Sequence, residues 1–183
     1  FTEKTLRNRM GDLKKYGVGE TDILPYLPLK EENLQNIDLK VLALPYFLNY
    51  NPQNNFYYAI EKTNFEVNPD GRTEGTYTKY QSLDDKIDGL HYYTWFIKTG
   101  RGRATEDAAL EVRNNIITRE EAVSLVKKYD GELPKKYFGD ILNYLSISEK
   151  EFFEIIDKYR SPHLWQKEKN KWHLKKAVWM SNK

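Results

Sequence analysis

The sequence contains no cysteine and only three histidines, which are dispersed at His91, His163 and His173. Without a thiol, the chain forms no disulfide bond and no thiolate metal site. A zinc site built from histidines needs ligands that converge, and three scattered histidines do not predict one. The sequence therefore predicts a protein that holds no metal.

An excess of charge of either sign is also lacking. The 29 basic and 27 acidic residues give a formal net charge of +2, which is too small to attract nucleic acid or an anionic membrane surface. No apolar run approaches the roughly 20 residues that a membrane-spanning helix needs. We therefore predict neither nucleic acid nor a membrane as a partner.

The start of the sequence has no signal-peptide pattern. Residues 1–15 are charged throughout, and the first residue is not methionine. A secretory signal needs an apolar stretch that these residues do not contain. We expect that the chain begins inside a longer protein and that this protein is cytoplasmic.

Aromatic residues are abundant: they make up 14% of the chain and include fourteen Tyr and four Trp. Most such rings fill protein cores or subunit interfaces. Tyr and Trp also stack on sugar rings while a polar tip reaches the wall of a site. With 39% hydrophobic and 31% charged residues, the chain is predicted to be globular, with one main core.

Helical spacing of apolar residues recurs along the chain. Two capping boxes, TREE at 118–121 and SEKE at 148–151, mark helix starts, and SLDD at 82–85 is similar. Asn51 and Pro52 suit the start of another helix. The predicted helices span residues 3–16, 51–65, 83–98, 104–115, 118–129, 134–145 and 148–159. The helix over 83–98 is apolar around most of its circumference, so we predict that it is the central one.

One segment predicts a strand. The apolar run LKVLALPYFLNY, residues 39–50, suits a short buried strand because Pro45 would interrupt a helix. Residues 66–81 predict a long loop of the kind that often carries function. From residue 160 onward, apolar and polar residues alternate, which predicts a short extended segment or arm. The predicted fold class is mainly α, with six or seven helices and one short strand.

Standard catalytic motifs are missing: no GxxxxGK phosphate loop, GxSxG elbow, HExxH or paired CxxC occurs. The junction TGRGRATEDA, residues 99–108, is more informative. Its glycines allow a tight reversal, its two arginines suit bidentate contacts, and a helix begins near Thr105. This combination fits a phosphate or carboxylate ligand. It also fits two adjacent helix caps with solvated arginines, and the segment alone favours that second interpretation.

Two further segments contain residues typical of a site. The loop RTEGTYTKY, residues 72–80, offers hydroxyl, charged and ring groups that suit a sugar, and a solvated polar loop would have the same composition. In SPHLW, residues 161–165, His163 follows a helix end, where a lone histidine is more often structural than catalytic. Asp107 and Glu111 lie one helical turn apart, with Glu111 two residues before Arg113, and surface salt bridges to basic residues are the commoner reason for acids at such spacing.

Several ordered blocks of the sequence occur together. They are the run from EGTYTKYQSLDD through TGRGRATEDAALEVRNN to YDGELPKKYF, then RSPHLW, and upstream PYLPLKEEN, YFLNYNPQNNFYYAIEKTNFE and NPDGRTEGTY. These blocks resemble the C-terminal region of the N-acetyl sugar amidotransferase family. The resemblance covers most of the chain, and it is specific because several blocks match in order.

The resemblance implies a reaction. Members of this family are implied to convert an acetamido group on an activated sugar into an acetamidino group, for surface polysaccharide or flagellin glycan. They are similar to PP-loop ATP pyrophosphatases, so the resemblance implies ATP with Mg²⁺ as cofactor and a glutaminase partner that supplies ammonia. The ATP loop of this family, SGGKDS, is missing here, as are the cysteines of its N-terminal portion. We therefore expect this fragment alone to be inactive and to bind no cofactor.

The resemblance also implies a division of the chain. Residues 1–50 would be the end of the PP-loop nucleotide domain and its connection, with the strand left over from its sheet. Residues 51–183 would be a helical region for substrate binding and interfaces. No catalytic residue is assigned. The candidate residues for binding a sugar nucleotide are Arg72, Glu74, Thr76, Tyr77, Lys98, Arg101, Arg103, Thr105, Asp107 and His163.

Two other functions stay open at this point. The chain suits a non-catalytic helical module that binds a partner protein through its Tyr- and Trp-rich surface. It also suits part of a PP-loop enzyme that modifies RNA, although the near-neutral charge argues against RNA. The sequence leaves the sugar, its carrier nucleotide and a homo-oligomeric state undecided.

Overall fold

The computed structural model describes residues 12–27, 31–34, 37 and 40–180. The chain divides into two compact units, Phe1–Asn49 and Tyr50–Lys183. The assignment of residues 1–50 to the end of a nucleotide-binding domain stays a prediction.

The described residues of the first unit form single helical turns: Lys14–Tyr16, Glu20–Ile23, Leu24–Tyr26, Glu31–Leu34 and Leu44–Phe47. Of the helix predicted over residues 3–16, the part before residue 12 lies outside the described residues. Residues 12–16 are helical. The turn ends at Gly17, whose φ of +82° is the left-handed conformation that glycine adopts at low cost.

The strand predicted over residues 39–50 is wrong. Residues 40–43 are irregular, Leu44–Phe47 is one turn of helix, and residue 39 lies outside the described residues. Pro45 explains the difference, because proline is well tolerated in the first turn of a helix, where its missing N–H has no intrahelical partner.

The described part of the second unit contains six helices of eight residues or more, which agrees with the mainly α fold class. They are α1 Pro52–Lys62, α2 Asp88–Thr99, α3 Arg103–Arg113, α4 Arg119–Tyr129, α5 Phe138–Leu145 and α6 Glu149–Lys158. A 3₁₀ turn, Lys135–Tyr137, precedes α5, and another, Val178–Met180, follows the last strand. The loop predicted over residues 66–81 contains no helix or strand.

The two capping boxes at 118–121 and 148–151 are confirmed, because each shows both reciprocal hydrogen bonds. The one at 82–85 is wrong. Ser82 has a φ of +58°, and its hydroxyl pairs with the hydroxyl of Tyr92 instead. The Asp85 carboxylate accepts from the backbone N–H groups of Ile87 and Asp88, at 2.6 and 2.9 Å, so α2 begins only at Asp88. Asp85 therefore does the capping that the sequence assigned to Ser82.

Helix α2 is central, as predicted. Its Tyr93, Phe96 and Ile97 are buried in the main core. The core is completed by two residues of α6 and two of the C-terminal strands, namely Phe152, Ile156, Trp165 and Leu174.

The chain ends in a β-hairpin. Strands β1 Trp165–Glu168 and β2 Lys171–Leu174 are antiparallel, with Trp165 opposite Leu174. Lys169 and Asn170 both have positive φ, as a two-residue hairpin turn requires. The extended structure predicted for the tail is confirmed, although the sequence analysis did not predict that it pairs with itself. Of the helices in the described residues, none has the length and apolar character needed to cross a bilayer.

Candidate functional site

The loop over residues 72–80, which we call the polar loop, is anchored at its start by a half-buried ion pair. The Arg72 guanidinium donates two hydrogen bonds to the Glu132 carboxylate, at 2.6 and 2.8 Å, and lies 4.5 Å from the centroid of the Tyr129 ring. Glu132 also accepts from the backbone N–H of Gly75 at 3.0 Å. Because the bidentate pair occupies the guanidinium, Arg72 holds the loop in place.

The loop then meets the first turns of α3 in a polar cluster. Asp107 is 5% exposed and Thr76 is fully buried. The Asp107 carboxylate accepts from the Thr76 hydroxyl at 2.7 Å, from the Gln81 amide at 3.1 Å and from the Arg103 Nε at 3.0 Å. A buried carboxylate needs such donors to offset the loss of hydration. We call Thr76, Gln81, Arg103 and Asp107 the Asp107 cluster.

A second carboxylate lies one turn further along α3. The Tyr77 hydroxyl donates to Glu111 at 3.0 Å. Burial raises the pKa of Glu111 above its usual range, and the nearby Asp107 adds to that shift. Burial, with the negative charges of Asp107 and Glu111, raises the pKa of Tyr80 to about 12. Perturbed groups that gather next to a concave surface are typical of functional sites.

Beside the Asp107 cluster lies a concave space with a volume of about 340 Å³, which we call the aromatic pocket. Its lining combines aromatic rings with three polar side chains: Tyr50, Phe56, Phe65 and Tyr80, with Asn55, Gln81 and Arg103. The rings of Phe56 and Tyr80 are stacked, with centroids 4.4 Å apart. Rings next to a few fixed polar groups are the usual lining of a small-ligand site.

The N-terminus of α3 is already occupied by a carboxylate of the chain itself. Asp130 accepts from the backbone N–H of Gly102 at 2.9 Å, and from the N–H and hydroxyl of Thr105 at 3.1 and 2.5 Å. A β-carbon on Gly102 would lie 2.6 Å from an Asp130 oxygen, which explains the glycine. The anion that the junction 99–108 binds at this helix end is therefore internal.

We expect Asp130→Asn to lower the free energy of unfolding by about 1 to 3 kcal/mol at neutral pH, because an amide NH₂ would face backbone donors and leave one unpaired. Burial raises the pKa of Asp130. Because the pKa of Asp130 is higher in the folded protein than in the unfolded chain, protonation of Asp130 favours the folded state. This contribution is complete below the pKa of the unfolded chain and is lost as the pH rises through the pKa of the folded protein. The difference in free energy of unfolding between the wild type and Asp130→Asn should therefore become smaller from about pH 4 to pH 7.

Urea denaturation at both pH values measures this difference. Asp84→Asn, which changes an exposed carboxylate, is the matched control and should shift stability by less than about 0.5 kcal/mol. If the difference in free energy of unfolding grew with pH, the pKa of Asp130 would not be raised in the folded protein.

Another face of α3 lines a groove with a volume of about 640 Å³, which we call the α3–α4 groove. Its floor is apolar and made mostly of small residues: Ala108, Ala109, Val112, Ala122, Val123, Val126 and Ala177. Trp179 forms part of a wall, and Arg101, Arg119 and Lys176 line the groove with Thr105 and Asp130.

The structure distributes the ten predicted residues over several places. Thr76, Arg103 and Asp107 belong to the Asp107 cluster, Tyr77 bonds to the neighbouring Glu111, and Arg101 and Thr105 line the α3–α4 groove. The remaining four lie elsewhere: Arg72 on Glu132, Glu74 accepting from the Lys136 N–H at 3.0 Å, Lys98 beside Trp95 and Tyr159, and His163 exposed next to Ser161. Their role in binding a substrate stays a prediction.

The hydrogen-bond partners of Arg72 and Thr105 come from distant parts of the chain and were not predicted from the sequence. Glu132 is 60 residues from Arg72, and Asp130 is 25 residues from Thr105. The motif YDGEL, residues 129–133, carries both carboxylates on either side of a glycine. A glycine between two acids directly after a helix was the available signal.

Comparison with protein families gives a match over the second half of the chain. The family model described as "LPS biosynthesis protein WbpG-like, C-terminal domain" matches residues 74–178, which is more than half of the 183 residues. None of the curated proteins matches the chain. The matched range contains the Asp107 cluster and all the lining residues of the α3–α4 groove except Trp179, and it agrees with the resemblance of the sequence blocks to the C-terminal region of a sugar-modifying family. The chain belongs to the WbpG-like family of lipopolysaccharide biosynthesis proteins.

Proposed function

We propose that this chain is the substrate-binding part of an ATP-dependent amidotransferase, which converts the acetamido group of a nucleotide-linked sugar into an acetamidino group. The family match supports a role in lipopolysaccharide biosynthesis. The amidotransferase reaction, the sugar nucleotide and a glutaminase that supplies ammonia belong to the proposal. The sequence has no SGGKDS loop, so the proposal places ATP with Mg²⁺ in another part of the full-length enzyme.

The observation that carries this proposal is an aromatic pocket whose polar lining residues Gln81 and Arg103 are held by the buried carboxylate of Asp107. An acetamido group is neutral, whereas an acetamidino group is a strong base that carries a proton near neutral pH. Asp107 and Glu111 do not line the pocket, but their negative charges lie behind its lining residues and would favour a positive charge in it at longer range. The neighbouring rings of Phe56 and Tyr80 suit the apolar face of a sugar.

Arg103 has the second role in the proposal. Its Nε donates to Asp107 and its Nη1 lies 3.8 Å from the Glu106 carboxylate, and the guanidinium lines the aromatic pocket. The side chain is 29% exposed, so a ligand can reach it. We assign Arg103 to binding the substrate's oxygen atoms and Asp107 to fixing Arg103 and Gln81 in place.

The test uses the full-length enzyme with ATP, ammonia and an N-acetylated sugar nucleotide. We expect Arg103→Gln to lower kcat/KM about 10- to 100-fold, which corresponds to the loss of a hydrogen bond to a charged group. Arg113→Gln is the matched control, because Arg113 lies on the same helix and is exposed. Mass spectrometry of the sugar measures the conversion of the amide to the amidine.

Asp107→Asn is a second variant for the same test. It should also lower kcat/KM, and a thermal unfolding curve shows whether the buried cluster still folds. If Arg103→Gln keeps its fold and converts the sugar as fast as the wild-type enzyme, with the same KM, the aromatic pocket is not the substrate site. The proposed function would then lose the observation that carries it.

A further inference from the structure

The two concave surfaces next to α3 lie on different faces of that helix. Arg103, Asp107 and Glu111 follow one another at helical spacing and face the polar loop, whereas Thr105, Ala108 and Val112 face the α3–α4 groove. The two series are centred roughly 130° apart around the helix axis. The α3–α4 groove and the aromatic pocket share no lining residue, and no residue of the Asp107 cluster lines the groove.

We infer that the α3–α4 groove is a separate binding site for a nucleoside monophosphate. The inference does not depend on the proposed function, because it rests on a surface that the aromatic pocket does not share. It concerns a second ligand, which binds at the same time as the sugar substrate.

The apolar lining of the groove suits a flat heterocycle. Ala109 is exposed and Ala177 is partly exposed, so their short side chains leave room in the groove, whereas Ala108 and Ala122 are buried. Trp179 packs against Ala108, Ala122 and Val126 and is partly exposed toward the groove. An indole next to a shallow apolar floor is a surface on which any nucleobase can stack.

The charges of the groove suit a phosphate at one end. Helices α3 and α4 are antiparallel, because Asp130 at the end of α4 binds the first turn of α3. Arg101 therefore lies at the end of the groove opposite to Arg119. Leu174 would touch a β-carbon on Gly100 at 3.1 Å, so the chain that leads to Lys176 passes the Arg101 end of the groove, and both residues line it.

These cations are available to a ligand. Among the described residues, none forms an ion pair with the side chain of Arg101, Arg119 or Lys176. The carboxylate of the groove, Asp130, is already bonded to three donors of α3. Two cations beside one another suit a phosphate dianion, to which Arg can donate two parallel hydrogen bonds.

The volume of the α3–α4 groove favours a nucleoside monophosphate over inorganic phosphate as its ligand. A groove of about 640 Å³ lies within the range of sites for small organic ligands. Inorganic phosphate would use the Arg101 end alone and leave the apolar floor and Trp179 exposed to water. A nucleoside monophosphate fills both parts.

The experiment titrates the 183-residue chain with AMP and UMP by isothermal calorimetry, and follows tryptophan fluorescence in parallel. Inorganic phosphate, adenosine and uridine are the comparison ligands. We expect at least one nucleotide to bind at least about 10-fold more tightly than phosphate or its own nucleoside, because the two halves of the ligand bind together. Binding should quench a fluorescence signal that Trp179→Phe loses.

Three charge variants test the orientation of the ligand. Arg101→Gln and Lys176→Gln should each weaken nucleotide binding about 10-fold or more, and Arg119→Gln less than about 3-fold. Arg113→Gln is the matched control, since Arg113 is an exposed residue of α3 that does not line the groove, and its loss should leave nucleotide binding unchanged. Arg103→Gln separates the two proposals, because it is expected to impair sugar conversion while leaving the nucleotide-dependent change in Trp179 fluorescence intact.

Several outcomes would overturn the inference. Phosphate that binds as tightly as both nucleotides would mark a site for an inorganic anion only. The absence of binding by AMP and UMP at millimolar concentration would remove the site. If Arg103→Gln and Arg101→Gln weakened nucleotide binding equally, the nucleotide would not be bound in the α3–α4 groove alone, because Arg103 lines the aromatic pocket.

Discussion

Replacing Gly131 with Ala is expected to destabilise the second unit by roughly 2 to 5 kcal/mol. Gly131 has a φ of +79°, and a β-carbon there would lie 2.3 Å from Cε1 of Phe96 and 2.6 Å from its Cδ1. Left-handed backbone costs a residue with a side chain about 1 to 2 kcal/mol. The remaining cost comes from displacing Phe96, which is buried in the main core.

Gly71→Ala is the matched control for this prediction. Gly71 also has a positive φ, +93°, but a β-carbon there would meet no atom within 4 Å. The control should therefore show the backbone cost alone, about 1 to 2 kcal/mol. Urea denaturation followed by tryptophan fluorescence measures both variants, since all four tryptophans lie in the second unit. Equal destabilisation by the two variants would show that contact with Phe96 does not matter.

The position of Gly131 gives its replacement a second consequence. Asp130 on one side holds the first turn of α3, and Glu132 on the other side holds Arg72 and Gly75. One three-residue turn thus fixes both the helix and the loop that form the Asp107 cluster. A variant that shifts this turn should impair sugar conversion more than its loss of stability explains.

Local signals in the sequence were sufficient for most helices. Thr118 and Ser148 cap helices as the sequence predicts, because a capping box needs only residues within one turn. Ser82 shows the limit of the same rule. A hydroxyl that bonds to Tyr92, ten residues away, overrides the local pattern, and Asp85 takes its place at the start of α2.

The first unit shows a different limit. Pro45 argued against a helix interior and so favoured a strand over residues 39–50, but proline is equally suited to the first turn of a short helix. A helix of a single turn, Leu44–Phe47, is too short to give a periodic signal. The sequence alone therefore does not decide whether Pro45 interrupts a helix or lies in the first turn of one.

The candidate site was predictable in part. Arg103 and Asp107 are four residues apart on one helix, so their contact follows from helix geometry. Thr76 and Gln81 reach Asp107 only because the loop folds back across α3. Contacts of this kind depend on tertiary structure, and neither composition nor periodicity encodes them.

The tail SPHLW illustrates how a motif can point to the wrong residue. The sequence analysis selected His163, which is exposed, whereas Trp165 is 5% exposed and sits in the main core. The Trp165 indole Nε1 donates to the backbone carbonyl of Ile97 at 2.7 Å. Ile97 lies in the last turn of α2, where carbonyl groups lack a partner within the helix. The tryptophan thus connects the hairpin to the end of the central helix.

We expect Trp165→Ala to destabilise the second unit by about 3 to 5 kcal/mol, because it removes the largest side chain shared by the hairpin and the core. Trp165→Phe should cost less, about 1 to 3 kcal/mol, since it keeps a ring against Phe96 but leaves the Ile97 carbonyl unpaired. Tyr144→Ala, at a side chain 75% exposed, is the control and should change stability by less than about 0.5 kcal/mol. Urea denaturation followed by circular dichroism compares the three variants with the wild type. If Trp165→Phe were as stable as the wild type, the bond to Ile97 would contribute nothing, and ring packing alone would hold the hairpin against α2.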